Sequence, residues 1–303
     1  MLAAIPRSAR WLVAEAAQPP AFTTDGILRS GLKVLTPKDD TLLMADEDDH
    51  LVLASKRRAL DEHPTLYVSD GLASTIDAED ETMALVQAAQ GVAGDVWHHR
   101  RGLDSAARFV REDLVLLRQQ GGSTADVCAA CVCFSFGQLQ EKLGRPLATV
   151  HAPVPGYGQS LGRPLDRVFA KLTPERPLWR SNFEFRWSGA LLHPSATSGD
   201  PTVKGDLTYA SSDGGGSGGR GDPGDMHLRV EYQTLRRLPR SRHILFTIRS
   251  YIDPLSSIAA SPAAASALAD RVSALSPAFA EYKGIDAEMR PRIAAYLASG
   301  GEE

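Results

Sequence analysis

The clearest alternation of apolar and polar positions lies late in the chain. Leu228 to Leu238 and His243 to Pro254 read as two strands joined by Pro239-Arg-Ser-Arg242, a long hairpin. In the first strand Leu228, Val230, Tyr232 and Thr234 share one face, and Arg229, Glu231 and Gln233 the other. In the second, Ile244, Phe246, Ile248 and Ile252 lie opposite Leu245, Thr247, Arg249 and Tyr251. These patterns permit one polar face carrying Glu231, Gln233, Thr247 and Arg249. Such a face is either a solvated, salt-bridged sheet or a pocket floor whose carboxylate, amide and guanidinium groups orient a ligand. Two further strands are predicted: Val127 to Phe136, rich in β-branched, aromatic and Cys residues, and Trp179 to Trp187, whose aromatics Trp179, Phe183, Phe185 and Trp187 share the odd-numbered face.

Helical spacing dominates elsewhere. The acidic run Asp46 to Asp49 starts a helix through Leu51, Ala54, Arg58 and Leu60, with Lys56, Arg57 and Arg58 toward its far end and the charges on a solvated face. A second helix spans Asp80 to Gln90, with Met83, Leu85 and Val86 inward. A third is capped by Asp104 and carries Val110, Leu114 and Leu117 until Gly121-Gly122 stops it. Short helices follow at Gln138 to Leu143, ended by Gly144, and at Arg163 to Leu172, where Pro164 suits the first turn. Ala-rich helices from Ala263 to Leu275 and Asp286 to Leu297 complete the pattern. Gly31 to Pro37 is a short extended piece, and 197–225, dominated by Gly, Ser and Asp, is expected to be a flexible insertion.

With 303 residues, 43% of them apolar and 23% charged, the chain can bury a sizeable core. The formal charge of -4 gives no general attraction for nucleic acid or anionic lipid, and no apolar run approaches the roughly 18 residues of a membrane-spanning helix. Cys128, Cys131 and Cys133 lack a second pair to complete a zinc site, and alternation puts Cys131 and Cys133 on one face and Cys128 on the other. Buried reduced thiols in a cytoplasmic protein are the expectation. An N-terminal arm with Arg7 and Arg10 leaves an organellar transit segment as the alternative. The neighbours His98 and His99 point different ways and make a poor metal pair.

The stretch from Cys131 to Gly156 passes from strand through a helical turn to His151, flanked by apolar residues and braced by Pro153-Val-Pro-Gly156. Proline fixes φ and glycine admits backbone angles that others resist, so the imidazole sits on a stiff mount. It is either a metal or cofactor ligand or a hydrogen-bonded structural histidine.

The segments Val132-Cys-Phe134, Glu141-Lys-Leu-Gly-Arg-Pro-Leu147 and Val150-His-Ala-Pro-Val-Pro-Gly156 resemble the signature of the heme-dependent oxidative N-demethylase alpha-subunit-like family. Arg229-Val-Glu-Tyr-Gln-Thr-Leu-Arg-Arg-Leu-Pro239, followed by Leu245-Phe-Thr-Ile-Arg-Ser-Tyr-Ile-Asp-Pro254, resembles its second signature in the same order. Weaker similarity runs from Gly31 to Gly284, so the resemblance covers most of the chain. It departs from the pattern where Tyr232 replaces the usual Arg, at Phe136-Gly137-Gln138, and where Phe183 rather than Trp follows Asn182.

The resemblance implies an α+β fold with a PAS-like antiparallel sheet, flanking helices and helical N- and C-terminal additions, organised as an arm, 1–25, and one domain, 26–303. It implies one heme b and O2-dependent removal of a methyl group from a small amine by a monooxygenase, with electrons from an external flavin and iron-sulfur reductase. His151 is then the axial iron ligand, and Arg145, Arg163, Arg236 and Arg237 are candidates to bind the heme propionates. Glu231 would receive a protonated amine or organise proton delivery, with Gln233 and Arg249 holding the polar network around it. A PAS-type heme sensor without turnover and a cofactor-free partner subunit are the competing readings.

Overall fold

The computed structural model of the protein describes residues 6–10, 12–13, 32–35, 42–91, 102–119, 125–134, 139–158, 162–191 and 221–301, apart from the Arg163 side chain. The strands are β1 (Lys33–Val34), β2 (Tyr67–Ser69), β3 (Asp113–Arg118), β4 (Asp126–Cys131), β5 (Leu178–Arg186), β6 (His227–Arg237) and β7 (Ile244–Pro254). They form one antiparallel sheet in the order β1-β5-β6-β7-β3-β4-β2. Helices among the described residues are α1 (Asp49–Glu62), α2 (Ala73–Gln90), α3 (Leu103–Ala107), α4 (Leu139–Lys142), α5 (Leu147–Val150), α6 (Gly162–Lys171), α7 (Leu255–Ala259), α8 (Pro262–Ala274), α9 (Pro277–Tyr282) and α10 (Met289–Ala298). The class is α+β. None of these helices is long and apolar enough to cross a membrane.

The β6/β7 hairpin is the sheet's backbone, paired without interruption from His227↔Pro254 to Arg237↔Ile244. Its tip closes with Leu238 N–H donating to His243 O at 2.8 Å and with Arg242 in the left-handed region at φ 61°. Directly opposed residues of an antiparallel pair share a face. The pairs Tyr232↔Arg249 and Thr234↔Thr247 therefore define a front face, and Glu231↔Ser250 and Gln233↔Ile248 a back face. On the front, Phe183, Phe185, Leu228 and Val230 pack against α7, α8 and α10 through Leu255, Ile258, Leu268 and Ile293. Also on the front, Leu114, Leu116, Cys131 and Leu245 pack against α1, α2 and α3 through Leu60, Val86 and Leu103. On the back, Val115, Val127, Leu235 and Ile244 meet α4, α5 and α6 through Leu139, Leu147, Val168 and Phe169. Leu228 is completely buried, so truncation to Ala would cost about 2–5 kcal/mol.

Several expectations are corrected. The single polar face does not exist, because the hairpin register places Glu231 and Gln233 on the back and Thr247 and Arg249 on the front. The helix expected from Asp104 ends at Ala107. Residues Leu114 and Leu117 belong instead to β3, buried between β4 and β7. Cys128 is not opposite Cys131: a bulge pairs Leu116 with Ala129 but Leu117 with Val127, skipping Cys128 and returning it to the front cluster with Cys131 and Cys133. All three thiols are buried and free.

The acidic run starts α1 as expected but is not a solvated face, since Asp46 and Asp49 bind the buried Arg249 at 2.8 and 2.6 Å. Lys56, completely buried, donates to the carbonyls of Val110, Arg111 and Glu112. The second helix begins seven residues before Asp80, at Ala73. The described arm residues Ala9 and Leu12 join the front core. His98, His99 and most of 197–225 lie outside the described residues; at that segment's end, Pro223–Asp225 form a short turn of 3-10 helix.

Candidate functional site on the back of the sheet

His151 is mounted by the chain that leaves β4. Val127 N–H donates to Arg145 O at 3.2 Å, and Leu147 N–H donates to Ala125 O at 2.9 Å, which ties α5 to the sheet. Pro146 sets the start of the helix at φ −58°, and its single turn delivers His151 as the C-cap. The ring nitrogen Nδ1 lies 2.9 Å from Leu147 O. A carbonyl only accepts, so Nδ1 carries the proton and Nε2 of the neutral ring keeps its lone pair. Beyond it the Pro153-Val-Pro-Gly156 turn, with Gly156 at φ 68°, swings Tyr157 back to stack on the imidazole at 4.9 Å and 7°. Burial lowers the imidazole's pKa, and the charges of Arg180 and Lys142 lower it further, so the ring is neutral at ordinary pH.

Facing the same side is a polar row drawn from β5, β6 and the end of α9. Glu231 is buried; Arg229 Nη1 lies 2.6 Å from its Oε1, while Asn182 Nδ2 and Gln233 Nε2 donate to Oε2 at 3.1 and 2.6 Å. Each amide in turn accepts from a cation: Arg180 Nε donates to Gln233 Oε1 at 2.7 Å, and Lys283 Nζ donates to Asn182 Oδ1. Arg229 also reaches Glu184 Oε1 at 3.0 Å, Ser250 Oγ at 2.7 Å and Phe134 O at 2.8 Å. Burial alone would raise the Glu231 pKa, but the charge of Arg229, with Asn182, Lys283 and Gln233, outweighs it and pulls the carboxyl down to about 2. Burial pushes the Lys283 pKa down as well, to about 8. Glu231 is therefore an anion at every ordinary pH, and Lys283 is largely a cation at neutrality.

The family model for "Haem-dependent oxidative N-demethylase, alpha subunit-like" matches residues 49–291. The chain belongs to that family. The match contains His151, the whole polar row and Lys283, and stops before the end of α10. As the family's description implies, its members depend on heme and include an alpha subunit.

Of the expected site residues, Glu231 and Gln233 share one hydrogen-bonded row on the back of the sheet, and His151, on the turn after α5, lies on that same side. Arg249 lies on the front, completely buried, donating to Asp46, Asp49, Glu112 and the Tyr251 hydroxyl, the last at 2.8 Å. Asp46, Asp48 and Asp49 are close enough together to hold a cation, but Arg249, Arg111 and Arg7 already occupy them. Arg237 is on the back, where it donates to the carbonyls of Leu172, Phe169 and Arg242 and clamps α6 to the hairpin. Arg236 points to the front, its Nε without a partner among the described residues. Arg145 is exposed beside α5, and Arg163 opens α6 with a side chain outside the described set.

Sequence reasoning missed Arg180, Asn182 and Lys283. For the first two a signal existed: from Arg180 onward the even-numbered positions of β5, Arg180, Asn182, Glu184 and Arg186, are all polar, opposite the aromatic face. Lys283 carried no such signal, since only the fold brings the end of α9 to the open edge of β5, where Phe185 N–H donates to Lys283 O at 2.9 Å.

Proposed function

We propose that this chain is a heme-binding oxidoreductase that removes a methyl group from a small amine, using O2 and electrons delivered by a separate flavin and iron-sulfur reductase subunit. The observation that carries the reading is His151, whose Nδ1–H is held by Leu147 O and whose Nε2 lone pair is left for a metal, on the same face as the Glu231 row. Holding the second ring N–H on a carbonyl is the usual way a metal-ligating imidazole is oriented. The donor set suits a porphyrin: a neutral imidazole stacked on Tyr157, carried by a helix that packs through Leu147 into the apolar back cluster, with the charge of Arg180 acting on it. Bound there, heme would be a b-type group with iron on His151, supplying the O2 and one-electron chemistry that no side chain offers.

The remaining work falls to the protein. Glu231, a fixed anion, stabilises a protonated amine near the row, and Gln233 and Asn182 hold the carboxylate in one orientation. Apolar residues Leu139, Leu147 and Val168 exclude water from the back face. Demethylation in this form consumes O2, a pair of electrons and two protons, and yields the demethylated amine, formaldehyde and water. The chain has three cysteines and no dinucleotide fingerprint, so the electrons come from a partner. We assign the sheet to the PAS-like class, read 26–303 as one domain behind the arm 1–25, and place the protein in the cytoplasm. Protein loaded with heme and supplied with a reductase should release formaldehyde in step with amine-dependent O2 uptake. Loss of O2 uptake across a panel of small methylamines, with heme bound, would contradict the enzymatic reading.

A further inference from the structure

Tyr157 is buried, at 6% exposure, although it ends a turn whose Ala152, Pro153 and Gly156 are exposed. It belongs to none of the apolar clusters that pack the sheet. Its ring lies instead on the imidazole of His151, centroids 4.9 Å apart and planes 7° from parallel, an offset stack. A tyrosine needed only to fill space would pack into a cluster, at no particular angle.

The backbone carries the ring there. Val154 N–H donates to His151 O at 2.9 Å, and Tyr157 N–H donates to Val154 O at 3.1 Å. Gly156, at φ 68°, turns the chain back between them. The first residue of α6 lies against the same ring, since a Cβ placed on Gly162 would be 3.8 Å from Tyr157 Cε1. Tyr157 thus bridges the His151 turn and a helix packed on the sheet through Val168 and Phe169.

The stack supplies what the hydrogen bond to Leu147 leaves open. That bond sets the tautomer and the direction of one N–H, but a hydrogen bond tolerates about 30° of bending, so the ring plane can still tilt around it. A parallel aromatic neighbour resists the tilt. With both restraints Nε2 has one direction rather than a cone of them.

We propose that Tyr157 is a positioning residue for His151, its ring fixing the imidazole plane and with it the line along which Nε2 meets a metal. The proposal rests on the reading of His151 as an iron ligand, and the test reports on the two separately.

Wild type is compared with Tyr157→Phe, which keeps the stack, and with Tyr157→Leu and Tyr157→Met, which fill the space without an aromatic face. In heme-free protein the carbon-bound ring protons of His151, assigned with His151→Gln, are followed by NMR. The stack should hold them upfield in wild type and Tyr157→Phe, and they should move downfield in the other two. In heme-loaded, reduced protein the iron–histidine stretch is read by resonance Raman, and heme loss to excess apomyoglobin is timed. Tyr157→Phe should match wild type in both, whereas the non-aromatic variants should shift or broaden the stretch and lose heme about 2- to 10-fold faster. Absence of nuclear Overhauser contacts between the two rings in wild type overturns the proposal without any variant. So does a stretch and a rate of heme loss that the non-aromatic variants leave unmoved. Equal damage from Tyr157→Phe and Tyr157→Leu would move the effect to the hydroxyl and overturn the stack. A wild type that binds heme without the iron–histidine stretch overturns the ligand reading and the role of Tyr157 with it, even where NMR shows the rings in contact.

Discussion

The two faces of the β6/β7 hairpin each bury an ion-pair network, and the networks differ in what they tie together. On the front, Arg249 is surrounded by Asp46, Asp49, Glu112 and Tyr251, while Arg111 donates to Ser250 O at 2.9 Å and Arg10 donates to Tyr251 at 2.6 Å. Its partners come from the N-terminal arm, the approach to α1 and the start of β3, so the network fastens these segments to the sheet. On the back, the partners of Glu231 come from adjacent positions on β5 and β6, with Lys283 added at the sheet edge. That network ties only the end of α9 to the sheet edge, and it sets two amides and two cations in a fixed pattern around one carboxylate. Burial by itself therefore does not mark a functional polar group. What separates the two sets is whether the partners come from distant segments that need anchoring or from neighbouring positions on two paired strands.

The largest expected effect is on the front. Arg249→Ala leaves Glu112 buried without its cation and takes from Asp46 and Asp49 their nearest one, and should cost about 3–5 kcal/mol in urea or thermal unfolding, with the midpoint falling and the His151 face unchanged once folded. A loss under about 1 kcal/mol would erase the contrast between the faces. Next, Glu231→Gln keeps the shape of the row but removes a charge, and about 2 kcal/mol of stability should go with it.

The same variant should change the acid limb. The Glu231 pKa is depressed in the fold from an ordinary 4.5 to about 2, so its stabilisation is fully present above the unfolded value and is lost as pH falls from about 4.5 toward 2. Thermal midpoints measured across that window should fall less steeply for Glu231→Gln than for wild type. Parallel curves would contradict the assigned ionisation. The smallest effect belongs to Arg10→Ala, a partly exposed guanidinium worth about 1 kcal/mol or less, which should loosen the arm, seen as faster amide exchange at Ala9, without moving the midpoint much.

Much of the fold was legible because alternation and helical spacing were strong where elements are amphipathic: both hairpin strands, β5, α6 and the C-terminal helices lie where the pattern put them. Period fails where a strand is buried on both faces. In β3 the run Leu114 to Leu117 is continuously apolar, and Val110, Leu114 and Leu117 then mimic a helical stripe. The bulge at Cys128 is equally silent, since one skipped residue leaves no compositional trace.

The site shows the same limit one level higher. Alternation within each strand gave the faces of β6 and β7 separately, but the relation between them depends on the hairpin register. That register, set by the loop between Arg237 and Ile244, parted Arg249 from Glu231. The histidine mount was readable because its prolines and glycine are local. Arg180, Asn182 and Lys283 required the third dimension.

The central claim is that His151 offers Nε2 to heme iron from the back of the sheet. The most direct measurement is the absorption spectrum of heme-loaded protein, oxidised and reduced, for wild type and His151→Ala. The half-buried ring is not a packing centre, so the variant should unfold within about 1 kcal/mol of wild type. Wild type should bind one heme with a sharp Soret band, and His151→Ala should shift or lose that band, with exogenous imidazole restoring it. A stoichiometric band that is identical in the two proteins would contradict the claim.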